Sequence, residues 1–180
     1  MWKAAWDGYL ESYHHSVVHT STVSRYTMGN LIVHDPFGVH QRMVFGRRSL
    51  EELNGVPEAQ WQPDLHIRRI FHVFPNLAVS AMTGGHCLIN QIFPGATQAK
   101  SITRQTIMVR EKPVTDEQKR EVDEFAEVTI SAIRDEDYPI NEGVSQSLMS
   151  GRATGVVFGR NEPALQHYHR TLQSVMGEKP

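Results

Sequence analysis

Between Leu65 and Arg110 the chain is cut into four short β-rich runs, Ile67–Phe74, Leu77–Met82, His86–Phe93 and Ser101–Val109. Turn-forming residues divide them: Pro75-Asn76, Thr83-Gly84-Gly85 and Pro94-Gly95. Connections this tight join antiparallel neighbours, because a parallel pair needs a crossover of about a dozen residues or more. A meander is therefore expected, and a βαβ array is excluded. Upstream, Leu31–Val33 and Val39–Phe45 flank Asp35-Pro36-Phe37-Gly38 and read as a further pair of strands. Helical periodicity brackets these strands. Trp2, Ala5, Trp6, Tyr9, Leu10, Tyr13 and Val17 predict one amphipathic helix from Trp2 to His19, about four to five turns long. Ser49–Asn54 reads as a short helix with a serine cap. Thr115-Asp116-Glu117-Gln118 is a capping-box signature, followed by an apolar stripe of Val122, Phe125, Ala126, Thr129, Ile130 and Ile133. Pro139 is expected to interrupt that helix, with a second run reaching Leu148 before Gly151. A last helix runs from Asn161 or Glu162 to Met176. Helices at both ends of an antiparallel sheet make an α+β chain, one layer of helix gripped by one curved sheet.

A length of 180 residues fits a single domain, residues 1–180. Eighteen Lys and Arg against twenty Asp and Glu leave a net charge of −2, no footprint for nucleic acid or an anionic membrane. No apolar run approaches the ~18 residues of a membrane span, and no basic-then-apolar leader is read at the start, so a cytoplasmic chain is expected. The lone cysteine, Cys87, excludes an intrachain disulfide and any Cys-rich zinc or iron–sulfur centre, and it reads as a buried, inert thiol. Ten histidines against one cysteine direct attention to metal chemistry.

The densest group is Glu11-Ser12-Tyr13-His14-His15-Ser16-Val17-Val18-His19. Two readings compete: a solvated histidine face, and a mononuclear iron site of the two-histidine, one-carboxylate type with open positions for oxygen. On a straight helix His15 and His19 lie ~40° apart and form the natural chelating pair. His14 and His19 point ~140° apart and can share a metal only where the helix widens into a π-bulge or unwinds.

Trp2-Lys3, then Asp7-Gly8-Tyr9-Leu10-Glu11-Ser12-Tyr13-His14 and His19, resemble the catalytic-domain opening of Rieske-type ring-hydroxylating oxygenase α subunits. The family pattern is approximately N-W-K-x4-D-N-F-x-E-x-Y-H-x4-H; Met1 and Gly8 stand at its two asparagine positions. Phe74-Pro75-Asn76-Leu77 is similar to the family's F-P-N-L turn. Asp137, Glu142, Gln146 and Leu148 are similar to its D-x4-E-x2-Q-x2-L segment, with one residue more between the Glu and the Gln. Asn161 to His169 resemble its closing helix, and the four motifs occur in the family's order. The resemblance implies His14, His19 and Asp137 as the ligands of Fe(II). It puts Glu11 where the family has an acidic residue receiving the Rieske domain of a neighbouring subunit. Asp137 also fits a helix cap ahead of Pro139, and His15 becomes a bystander or a support for the ligands.

The family resemblance has wider implications. The fold it implies is a helix-grip barrel of the Bet v 1 or START type, a curved antiparallel sheet on a long C-terminal helix. The chemistry it implies is insertion of O2-derived oxygen into an aromatic or other hydrophobic small molecule. The family's N-terminal Rieske domain, with its [2Fe–2S] cluster, is not matched, so this chain is expected to be the catalytic half alone and to depend on a separate Rieske or reductase donor. Head-to-tail trimers in the family make a homo-oligomer an expectation. Met28, Met43, Met82, Phe71, Phe93 and Met108 are candidate pocket residues, while His34, His40, His66, His72, His86, His167 and His169 read as packing or satisfied histidines. The alternatives are a helix-grip ligand-binding protein without iron and an assembly partner of a split oxygenase.

Overall fold

The computed structural model describes residues 1–81, 85–152 and 155–177. Six strands form one antiparallel sheet in chain order: β1 Thr27–Phe37, β2 His40–Arg47, β3 Ile67–Val73, β4 Leu77–Ala81, β5 His86–Pro94 and β6 Ser101–Val109. The meander is as expected from the turns. Met82 and Thr83-Gly84, the expected end of the fourth run and its hairpin, lie outside the described residues. β1 and β2 are longer than the sequence suggests, and the turn between them is displaced. Asp35 and Pro36 pair with Arg42 and Gln41, while Gly38, at a φ of 61°, makes the turn. Pro36 is tolerated because β1 is an edge strand, and the Arg42 guanidinium donates to Asp35 Oδ2 at 2.7 Å.

Period-two alternation gives the sheet two unlike faces. Met43, Phe45, Ile70, Ala78, Leu88 and Ile92 are buried on one. Phe71, Met108, Val33 and Ile102 are exposed, and strand parity places them on the other. Of the residues expected to line a pocket, Met43 is therefore core, and Phe71 and Met108 are exposed on the far side. Cys87 shares that far face and is only half-buried, because its neighbour Leu88 takes the inward position.

Two helices seal the inner face: α1 (Trp2–Asp7) and α5 (Pro163–Val175). Their Ala5, Trp6, Ala164, Leu165 and Tyr168, together with Leu10 just after α1, form one cluster with the inward strand residues. Tyr168 donates to the Pro75 carbonyl at 3.0 Å, and His169 Nε2 meets Asp7 Oδ1 at 2.8 Å, so the closing helix is tied to the strand turn and to α1. A short α2 (Pro63–His66) leads into β3, and Arg48–Leu53, the expected short helix, is 3₁₀.

After β6 come α3 (Asp116–Ser131), a π-helical segment Ala132–Asp137 and α4 (Tyr138–Met149). The capping box is present in full, with Thr115 and Gln118 each bonded to the other's backbone N–H. The expected apolar stripe of α3 is half-buried, and Phe125 stacks on His86 of β5 with ring centroids 4.4 Å apart. Pro139 does not separate two helices. Its missing N–H and bulky ring are accommodated beside the widened π turn, so the helical path continues.

Candidate metal centre

The N-terminal segment departs most from expectation. In place of one helix from Trp2 to His19, α1 ends at Asp7 and a 3₁₀ turn covers Tyr13–Ser16. Gly8 weakens helix continuation, and Trp6 and Leu10, both fully buried, anchor the chain on the sheet. Glu11 then competes for the backbone: its Oε2 accepts from the N–H of Tyr13 at 2.5 Å and of His14 at 3.2 Å. Ser12 Oγ donates to the Gly29 carbonyl of β1, and Ser24 Oγ donates to the His15 carbonyl, so the loop is fastened at both ends. Once the helix unwinds, the angular conflict between His14 and His19 disappears. Their ring centroids lie 5.1 Å apart.

The opposing wall is the π segment. Successive residues of a helix point ~100° apart, yet here Glu136 and Asp137 bracket one imidazole. Glu136 Oε2 meets His19 Nδ1 at 2.5 Å, and Asp137 Oδ1 lies 3.1 Å from His19 Nε2. Asp137 Oδ1 also lies 3.6 Å from His14 Nε2. Asp137 precedes α4 but makes no capping hydrogen bond, so its carboxylate is available to the histidines. Among the described residues, His14, His19 and Asp137 form a group able to hold a metal, each offering a ligand atom within 4.8 Å of the others.

Both rings present Nε2 to the shared carboxylate and Nδ1 to a further one. Glu11 Oε1 bonds His14 Nδ1 as Glu136 does His19 Nδ1. This is how proteins fix the tautomer and aim of a ligating imidazole. Glu136 also accepts from Thr22 Oγ1 at 2.7 Å, which ties the histidine loop to the π turn. Burial alone would lower the pKa of His19, but its hydrogen bonds to Asp137 and Glu136 outweigh burial and raise the pKa. For Glu136, burial pushes the pKa up, and the bonds to His19 and Thr22 bring it down. The donor set of two neutral imidazole nitrogens and one carboxylate oxygen suits a divalent first-row metal such as iron. Sequence reasoning missed Glu136 and Thr22; the only local signal for the former was a second acid beside Asp137.

His15 stays apart from the group of three. It is buried with its ring 5.8 Å from Phe45, and its Nδ1 has no hydrogen-bond partner among the described residues. Burial, then the nearby charges of His14, Arg68 and His19, depress its pKa to about 3. The other histidines pack or are held locally: His72 Nε2 donates to the Tyr9 carbonyl at 2.8 Å, His34 Nε2 meets Gln41 Oε1 at 2.8 Å, and His66 Nδ1 meets Ser49 Oγ at 3.0 Å. His40 Nδ1 accepts from the Phe74 N–H at 3.1 Å. Among the described residues no helix is long and apolar enough to cross a membrane.

Solved structures share this architecture. A crystal structure of the quaternary ammonium Rieske monooxygenase CntA with the inhibitor MMV12 superposes with a TM-score of 0.70 at 17% identity, covering 96% of this chain and 45% of that one. A second structure of a quaternary ammonium Rieske monooxygenase, described in terms of carnitine oxidation by gut microbiota and inter-subunit electron transfer, gives 0.67 at 17%, covering 97% and 46%. The chain thus spans a little under half the length of these proteins, and the likeness is one of fold. No curated protein sequence matches. Residues 2–178 match the family model described as the ring hydroxylating alpha subunit (catalytic domain). The chain belongs to the family of ring-hydroxylating oxygenase α-subunit catalytic domains.

Proposed function

We propose that residues 1–180 form a mononuclear non-haem iron catalytic domain that inserts O2-derived oxygen into a hydrophobic small molecule, aromatic or otherwise. The observation that carries this reading is the convergence of His14, His19 and Asp137, with all ligand atoms within 4.8 Å and both Nδ1 atoms held by carboxylates. Bound there, Fe(II) would supply the oxygen activation that amino-acid side chains cannot. The chain's own residues would do the rest: His14, His19 and Asp137 would hold the ion, and Glu11 and Glu136, bonded to the Nδ1 atoms, would keep both Nε2 lone pairs free for it. Three protein ligands would leave coordination positions open.

The reading includes an electron donor of the Rieske or reductase type outside residues 1–180, because one cysteine in these residues cannot build a Rieske centre. Glu11, bonded to His14 and partly accessible, is our candidate for the residue that meets such a donor domain. A homo-oligomer with electron transfer between subunits is supported by the description of the quaternary ammonium monooxygenase above. We place the chain in the cytoplasm, in keeping with its free thiol.

The test is anaerobic titration of the purified chain with Fe(II), followed by hydrogen peroxide and an aromatic substrate. Peroxide brings oxygen already reduced by two electrons and bypasses the electron donor. One iron per chain, and hydroxylated product above the level given by free Fe(II), are expected. Asp137→Ala should lose both. Equal product from the two proteins, or no stoichiometric iron in the parent chain, overturns the reading.

A further inference from the structure

A groove of about 810 Å³ lies between α1, α5 and the run that joins α4 to α5, and none of the candidate metal ligands lines it. Its charge is one-sided, although the whole chain carries only −2. Lys3, Arg160 and Arg170 line it against a single acid, Asp7, whose Oδ1 is already held by His169 Nε2 at 2.8 Å. Among the described residues none of the three cations is in an ion pair. Arg160 has no hydrogen bond within the protein, and Arg170 Nη2 has one of 3.3 Å to the neutral Gln166 Oε1. The groove also has an apolar wall of Leu148, Val156 and Phe158, and the Phe158 ring rests on His169 with centroids 4.6 Å apart.

Val156 and Phe158 face this groove, while Val157 between them is 94% exposed. Side chains that alternate in this way mark an extended backbone. Residues 156–158 belong to no strand, and among the described residues their N–H and C=O groups make no hydrogen bond. An unpaired row of this kind is a template for a further strand, the mode by which many domains take up extended peptides. We propose that the groove docks an extended, acidic segment of a partner protein. The segment pairs with the backbone of residues 156–158, seats alternate apolar side chains on Val156, Phe158 and Leu148, and sets its carboxylates against Lys3, Arg160 and Arg170. Two other occupants answer only part of this. A small organic anion would meet the cations and leave the backbone row unused. The acid-rich α3 of a second copy matches the charge, but a helix has already spent its N–H and C=O groups internally. The groove and the candidate metal centre share no residue, so docking stands or falls apart from the oxygenase reading.

Fluorescence anisotropy of the full chain, freed of metal with a chelator so that carboxylates cannot bind through an ion, tests the docking with a labelled peptide of alternating glutamate and valine. The peptide should bind, and a version with lysine for glutamate should bind at least tenfold more weakly. Added salt should weaken the acidic peptide, as for any charge-steered contact. Arg160→Glu combined with Arg170→Glu should lower its affinity at least tenfold, whereas Arg160→Lys with Arg170→Lys, which keeps the charges, should stay within threefold; circular dichroism confirms that the variants are folded. N-methylation of every second peptide residue tests the strand pairing, because alternate N–H groups of a strand point to one neighbour. One phase of methylation should cost at least tenfold and the other less than threefold. No binding of the acidic peptide, equal binding of the lysine version, unchanged affinity in the charge-reversed variant, or tolerance of both methylation phases overturns the proposal. Displacement of the peptide by 1-naphthoate at equal affinity assigns the groove to a small anion, and self-association of the parent chain that charge reversal abolishes assigns it to a second copy; either result overturns the docking of a partner segment.

Discussion

Replacing Glu136 by alanine removes the carboxylate partner of His19 Nδ1 and, with it, the acceptor for Thr22 Oγ1. The bond to His19 measures 2.5 Å and joins a carboxylate to a buried imidazole, so it belongs with the charge-assisted hydrogen bonds, which contribute about 1.5–3 kcal/mol. At about 1.4 kcal/mol per factor of ten, that corresponds to a roughly 10- to 100-fold loss of metal affinity. Partners that orient ligating histidines typically cost the same range when removed. The Glu136 side chain is 23% exposed, which places the expectation toward the lower half of that range. Competition against a chromophoric chelator with Co(II) or Fe(II) measures the change directly. Glu136→Gln, which keeps an acceptor without the charge, should recover part of the affinity, and Thr22→Val should change it less than threefold. Affinity within threefold of the parent in Glu136→Ala would refute the orienting role, as would an equal loss in Thr22→Val.

Three further outcomes are expected. His14→Ala and His19→Ala should each abolish stoichiometric iron binding, while His15→Ala should weaken it only modestly; metal analysis showing the reverse for His14 and His15 transfers the ligand assignment to His15. His72 is buried, and burial, with the charge of His34, depresses its pKa to about 4 despite the opposing bond to Tyr9. It therefore stays neutral in the fold while the unfolded chain takes up a proton below about pH 6.5. Stability should fall as pH drops from 6.5 toward 4, by up to about 3 kcal/mol from this group. Urea unfolding at pH 7 and pH 4.5 should show a smaller drop in His72→Gln than in the parent, and an unchanged drop would remove His72 as its source. Finally, the purified chain should show no visible [2Fe–2S] absorption and no NADH oxidation coupled to hydroxylation until a separate Rieske protein is added; an intrinsic Rieske spectrum would contradict the reading of a catalytic half.

Local chemistry was enough to determine the meander, the capping box at Thr115 and the apolar stripe of α3, because turns, caps and short periodic runs depend on neighbours a few residues away. The loop of candidate ligands was beyond that range. Trp2 to His19 carries helical spacing, yet Glu11 captures the Tyr13 and His14 N–H groups, and burial of Trp6 and Leu10 against a sheet formed later in the chain sets its path. Spacing on an ideal helix favoured His15 with His19; unwinding the helix allows His14 and His19 to converge on Asp137, whose position in sequence lies beyond all six strands. Of the two distortions that would let His14 and His19 meet, a π-bulge or an unwound turn before His19, the chain adopts the unwound turn, and a separate π segment arises elsewhere. It lies at Ala132–Asp137, where Pro139 disturbs the helix and where two successive carboxylates come to bracket one ring. Glu136 gained its meaning only from tertiary packing, because whether a charged side chain has a partner depends on which distant strand or helix lies opposite it.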